Sequence, residues 1–131
     1  MSRGLVPAAT PVATLLSVQI TIQYFEGCPN WEVADERVRL ALAHSGMGTT
    51  CVTRELIKTP EKAVAAGFRG SPTILVNGRD PFADRASPVG LSCRLFTTPH
   101  GLAGSPTVDQ LMHAIESASR RSSTGNLAGT V

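Results

Sequence analysis

Tyr24-Phe25-Glu26-Gly27-Cys28-Pro29-Asn30-Trp31 is the stretch where an alternating apolar run stops, a cysteine appears and a helical pattern begins. Upstream, Val18, Ile20, Ile22 and Tyr24 fall on one face and Gln19, Thr21 and Gln23 on the other, the period of a strand covered well on one side only. Downstream, Trp31, Ala34, Val38, Ala41, Leu42 and Ser45 recur at helical spacing, Glu32, Glu36 and Arg39 point away, and Gly46 is the stop. Cys28 therefore sits where a strand hands over to a helix. The first N–H groups of a helix are unpaired and carry partial positive charge, which favours thiolate over thiol. An exposed, nucleophilic sulfur is the expectation here, opposed only by the negative charge of Glu26.

A chain of 131 residues with 42% hydrophobic content is one domain's worth of core. The composition divides it into a flexible leader at 1–16, a domain at 17–119 and a polar, patternless tail expected to be disordered at 120–131. The net charge of +2 is spread over dispersed arginines, so no basic stripe favours nucleic acid or an anionic membrane as partner. No apolar run approaches bilayer-spanning length. The leader, broken by Pro7 and Pro11, makes a poor signal peptide. Three cysteines leave at least one unpaired, which speaks against a disulfide framework and makes a reducing cytoplasm the expected compartment.

After the first helix, Cys51 to Ile57 is rich in β-branched residues and reads as a second strand, with Arg54 and Glu55 marking it as an edge. Thr59-Pro60-Glu61 opens a short helix, Thr59 as N-cap and Pro60 at the first helical position, ending by Gly67. A third strand, Thr73 to Val76, starts just after Ser71-Pro72 and closes on the turn signal Asn77-Gly78. Arg79 to Gly90 has Pro81, Pro88 and no period, and reads as an insertion before an antiparallel partner strand at Leu91 to Thr97. Ser105-Pro106-Thr107 then opens a helix with Val108, Leu111, Met112, Ile115 and Ala118 in one stripe. No internal repeat is present.

The resulting α/β order, β-α-β-α-β-β-α, resembles the thioredoxin-like fold, which implies a four-stranded mixed sheet with helices on both faces. Cys28-Pro29-Asn30-Trp31 resembles the active-site loop of that superfamily, and Ser71-Pro72 its cis-proline loop. By this resemblance Cys28 is the attacking cysteine, and Pro29, Trp31, Arg69, Ser71, Pro72 and Thr73 surround it as the residues that would meet a substrate. The residue before the cis proline, Ser71, would offer its backbone to an extended substrate, and Arg69 could neutralise a substrate carboxylate. The resemblance departs at Trp31, which stands where a Cys-x-x-Cys motif has its resolving thiol. The implied function is one-thiol exchange, a mixed disulfide on Cys28 being resolved by an outside thiol, with a low-molecular-weight thiol or a protein disulfide as partner.

On that fold Cys51, starting a strand parallel to the first, belongs at the opposite end of the sheet from Cys28, and Cys93 belongs nearer the insertion than the proline end. Neither is expected to reach Cys28, and both read as structural. His100 should approach Ser71-Pro72 and could assist a leaving thiol, although an exposed loop histidine is the simpler account. The dispersed cysteines and His44, His100 and His113 show none of the usual metal-ligand spacings, and no cofactor motif is present. The alternative from another class is a thioredoxin-fold binding or regulatory module without turnover. The chain also resembles small bacterial thioredoxin-family proteins with Gly-Cys-Pro-Asn-Trp and Gly-Ser-Pro-Thr loops, some filed as alkylmercury lyases. That activity implies paired thiols and a nearby acid, whereas Trp31 fills the near position and the first aspartate after Cys28 is Asp35. The sequence carries no signal for oligomeric state.

Overall fold

The alternating run ending at Tyr24 forms β1 (Ile20–Tyr24), the middle strand of a three-stranded sheet. The computed structural model describes residues 18–83 and 89–130, with side chains described as far as Arg120. The expected leader and residues 84–88 of the expected insertion lie outside the described residues, as do the side chains of the tail beyond Arg120.

On one side β1 pairs in parallel with β2 (Val52–Leu56), Ile20 opposite Val52 and Tyr24 opposite Leu56. On the other it pairs antiparallel with β3 (Thr73–Val76), Ile20 opposite Val76 and Gln23 opposite Thr73. The parallel pair is joined by α1 (Asn30–His44), the crossover that parallel strands require. Cys51, just ahead of β2, is therefore exposed at the end of the sheet remote from Cys28.

One apolar core accounts for most of the packing. Ile20, Ile22, Ile74 and Val76 from the sheet meet Ala34, Val38, Ala41 and Leu42 of α1 and Leu111, Ile115 and Ala118 of α3 (Val108–Thr130). Each large aliphatic side chain buried there contributes about 1.5–3 kcal/mol. The start of α3 is a reciprocal cap: the Gln110 N–H donates to Thr107 Oγ1 at 3.1 Å, and the Thr107 N–H donates to Gln110 Oε1 at 3.0 Å. Arg37 Nη1 donates to the Pro106 carbonyl at 3.0 Å, tying that start to α1.

A second, smaller cluster of Ile57, Ala63 and Phe68 lies under α2 (Pro60–Ala66), with Phe25 and Leu91 packed against it. Thr59 caps α2 as its sequence position implies, its hydroxyl accepting from the Lys62 N–H at 3.1 Å. Gly67 closes the helix at φ 65°, a left-handed conformation that glycine adopts at little cost.

Among the described residues the four-stranded sheet is not formed. The described residues form a mixed α/β architecture with three helices, a three-stranded mixed sheet and a separate two-stranded sheet of β4 (Phe96–Thr98) and β5 (Gly101–Ala103). The Asn77-Gly78 turn exists, at φ 54° and 80°, and its returning arm bridges to β3 through Arg79 opposite Val76 without continuing as a strand among the described residues that follow. Pro81 lies just beyond, and a residue without an N–H cannot extend a ladder. Asn77 faces β1 instead, accepting from the Gln19 N–H through its side chain and donating its own N–H to the Gln19 carbonyl, both at 2.8 Å. The chain next meets β3 at its other end, where Cys93 lies opposite Ser71 in a parallel bridge. The expected antiparallel return at Leu91 to Thr97 is thus replaced by a parallel touch at 93 and a hairpin at 96–103.

No described helix is long and apolar enough to cross a membrane. The backbone of α3 continues to Thr130, beyond the apolar stripe that ends at Ala118.

Candidate functional site

Cys28 stands in the turn that joins β1 to α1, its N–H donating to the Phe25 carbonyl at 3.4 Å and Gly27 before it at φ 97°. The helix begins two residues later at Asn30, after Pro29. Contrary to the expectation of an exposed sulfur, Cys28 is only 2% exposed. Its Sγ–H donates to the Ser71 carbonyl at 3.4 Å, so the thiol faces the Ser71-Pro72 loop. The peptide bond between Ser71 and Pro72 is cis, as the resemblance implies.

The larger correction concerns Cys93, whose Sγ–H donates to Cys28 Sγ across 3.8 Å. Reversing the strand direction explains it. An antiparallel strand would start at the Val76 end of β3, whereas a segment running parallel starts at the Ser71 end and brings Cys93 over Cys28. The Ser71 N–H donates to the Ser92 carbonyl at 2.7 Å and the Arg94 N–H donates to the Ser71 carbonyl at 2.9 Å. The main-chain groups expected to receive an extended substrate are therefore already paired with the protein's own residues 92 and 94. Ser71 Oγ is buried with no hydrogen-bond partner among the described residues.

Arg94 anchors this segment, and nothing in the sequence reading singled it out. Its guanidinium is almost fully buried, with Nη1 2.7 Å from Asp80 Oδ2, Nη2 donating to the Phe82 carbonyl, and its carbon 4.6 Å from the centre of the Phe96 ring. Nη1 also donates to Thr73 Oγ1 at 3.5 Å, and that hydroxyl donates to the Gly70 carbonyl at 2.7 Å. A buried guanidinium that donates to a carboxylate, a hydroxyl and a main-chain oxygen fixes the backbone that carries it. Gly70, at φ 112°, lets the two segments approach: a Cβ there would stand 3.0 Å from Arg94 Cβ and 3.1 Å from the Ser92 carbonyl oxygen.

The remaining expected site residues are less concentrated. Pro29 is exposed, and Trp31 is half-buried and stacks on Tyr24 with ring centroids 4.4 Å apart. Arg69 is half-buried in the loop ahead of Ser71, and His100 stands exposed in the β4–β5 turn. Asp35 is held by Arg54, whose Nε and Nη2 donate to its two oxygens at 3.0 Å, and by Arg39 at 3.3 Å.

The Cys93 thiol is pushed above the ordinary cysteine range, first by its partial burial, then by its hydrogen bond to Cys28 and the negative charge Cys28 would carry. The two sulfurs stand 3.8 Å apart, against a disulfide bond length of about 2.05 Å. The chain matches no family model, no curated protein and no solved structure.

Proposed function

We propose that this chain is a thiol–disulfide exchange protein of thioredoxin-like type, acting through the thiol pair Cys28 and Cys93 on a low-molecular-weight thiol or protein disulfide. The observation that carries the reading is the 3.8 Å separation of the two sulfurs beside the Ser71-Pro72 loop. A lone Cys28 would depend on an outside thiol to resolve its mixed disulfide. A neighbouring thiol makes that step intramolecular, and positioned intramolecular attack outruns the bimolecular one. Cys93 thus supplies the second thiol that Trp31, in the usual position of the resolving cysteine, cannot. A reducing cytoplasm would return the pair to its dithiol form.

The lyase-like alternative gains a thiol pair from this geometry but still lacks its acid, because Asp35 is committed to Arg54 and Arg39. Exchange is therefore the better-supported use of the pair. The test is incubation of the full chain with glutathione disulfide. Exchange predicts release of glutathione and a Cys28–Cys93 disulfide found by peptide mass spectrometry. A chain that stays fully reduced, or that keeps glutathione on one cysteine without closing the internal disulfide, would favour the module without turnover or the one-thiol mechanism respectively.

A further inference from the structure

The two sulfurs of the pair differ in access. Cys28 is 2% exposed and bonded to the Ser71 carbonyl, whereas Cys93 is exposed. The segment Ser92-Cys93-Arg94 is tied to Ser71 by two main-chain hydrogen bonds, which closes the route by which an extended chain would pair beside Cys28. Arg94 and Asp80 hold that segment down. A molecule approaching the site reaches the sulfur of Cys93 first.

We infer that Cys93, not Cys28, is the sulfur that exchanges with the outside disulfide or thiol, and that Cys28 acts from beneath it as the internal partner. This rests on the exchange reading above and assigns its point of entry. In the oxidising direction the Cys93 thiolate attacks one sulfur of the outside disulfide. That S–S bond breaks, a mixed disulfide forms on Cys93, and the first outside thiolate leaves and takes up a proton equivalent to the one Cys93 gave to solvent. The Cys28 thiolate then attacks Cys93 Sγ. The Cys28–Cys93 bond forms, the second outside thiolate leaves, and it takes up a proton equivalent to the one lost by Cys28. Two protein thiols have been oxidised to one disulfide, and one outside disulfide has been reduced to two thiols. In reverse, an outside thiolate attacks the accessible sulfur of Cys93 and expels Cys28, which leaves as a thiolate ahead of the positive end of α1.

The test uses the full chain carrying Cys51→Ser, since exposed Cys51 would otherwise react, with glutathione disulfide as probe and peptide mass spectrometry as readout. Adding Cys28→Ser should leave one glutathione on Cys93, whereas adding Cys93→Ser should leave Cys28 modified at least ~10-fold more slowly. Glutathione accumulating on Cys28 in the second variant as fast as on Cys93 in the first would overturn the inference. The unsubstituted chain supplies a check free of folding defects: brief native labelling with iodoacetamide should modify Cys93 ahead of Cys28, and the opposite order would contradict it. An internal disulfide that closes while the outside group enters at Cys28 sinks this assignment and leaves exchange standing. Absence of the internal disulfide sinks both.

Discussion

Buried Arg94 forms an ion pair with half-buried Asp80, Nη1 to Oδ2 at 2.7 Å, directly after the residue that carries the second thiol. The pair ties the segment around Cys93 to the start of the 80–83 loop, while Nη1 also donates to Thr73 Oγ1 and Nη2 to the Phe82 carbonyl. A charge so enclosed is costly to leave alone, so removing one partner exceeds the net worth of the pair.

Arg94→Met should therefore destabilise the fold by about 3 kcal/mol, read as the shift in a urea denaturation midpoint. It should also weaken the Cys28–Cys93 disulfide, because Cys93 is no longer held over Cys28. The readout is the glutathione redox ratio at half-oxidation, expected to move roughly 10-fold toward oxidising conditions. An unchanged ratio in a destabilised protein would show that Arg94 supports the fold without placing the thiol.

Gly70→Ala puts a methyl group 3.0 Å from Arg94 Cβ at a φ of 112° that alanine rarely adopts. The expected cost is about 1–3 kcal/mol. Because the methyl pushes on residues 92 and 94, closure of the internal disulfide should slow as well, measured by quenched time courses after addition of glutathione disulfide. Closure at the original rate would place the strain elsewhere.

The pH dependence has a definite sign. A thiol whose pKa is raised in the folded state contributes stability that is present below the unfolded-state cysteine value and is lost as pH rises through the folded value. Reduced protein should therefore lose stability on the alkaline side of the ordinary thiol range, and Cys93→Ser should flatten that loss. In Cys28→Ser the hydrogen bond to the Cys28 sulfur and the charge it would carry are gone, so the pH midpoint of Cys93 alkylation should fall toward the ordinary value. A midpoint that does not move would mean that partial burial alone holds it up.

Thr59→Ala removes the hydroxyl that accepts from the Lys62 N–H and should cost about 1 kcal/mol. The thiols lie outside α2, so their exchange kinetics should be unchanged, which separates a general loss of stability from effects on the site. Slower exchange in this variant would show that the second core and the thiol pair are coupled.

The elements with a clear period were legible before the structure. The strand ending at Tyr24, the helix after Cys28, the cap at Thr59, the strand after Pro72 and the stripe beginning at Val108 all fall within a residue or two of their expected positions. Cys28 and Ser71-Pro72 do meet. The direction of the chain after Asn77-Gly78 was not legible, since alternation over Leu91 to Thr97 reports faces and says nothing of which way a short segment runs. That single ambiguity also misplaced Cys93 and left Cys28 seeming solitary and exposed. Arg94 and Asp80 are too far apart in sequence to signal an ion pair by spacing. Gln23, expected on the poorly covered face, is buried because its amide donates to Glu55 Oε1 at 2.9 Å across the parallel pair.

The most direct test is a redox titration of the full chain in glutathione buffers, quenched with acid and mapped by peptide mass spectrometry. Working thiols 3.8 Å apart predict a single two-electron transition in which Cys28 becomes linked to Cys93 while Cys51 takes no part in it. Recovery of Cys28 and Cys93 as separate species across the whole range, each free or each carrying glutathione, would contradict the account.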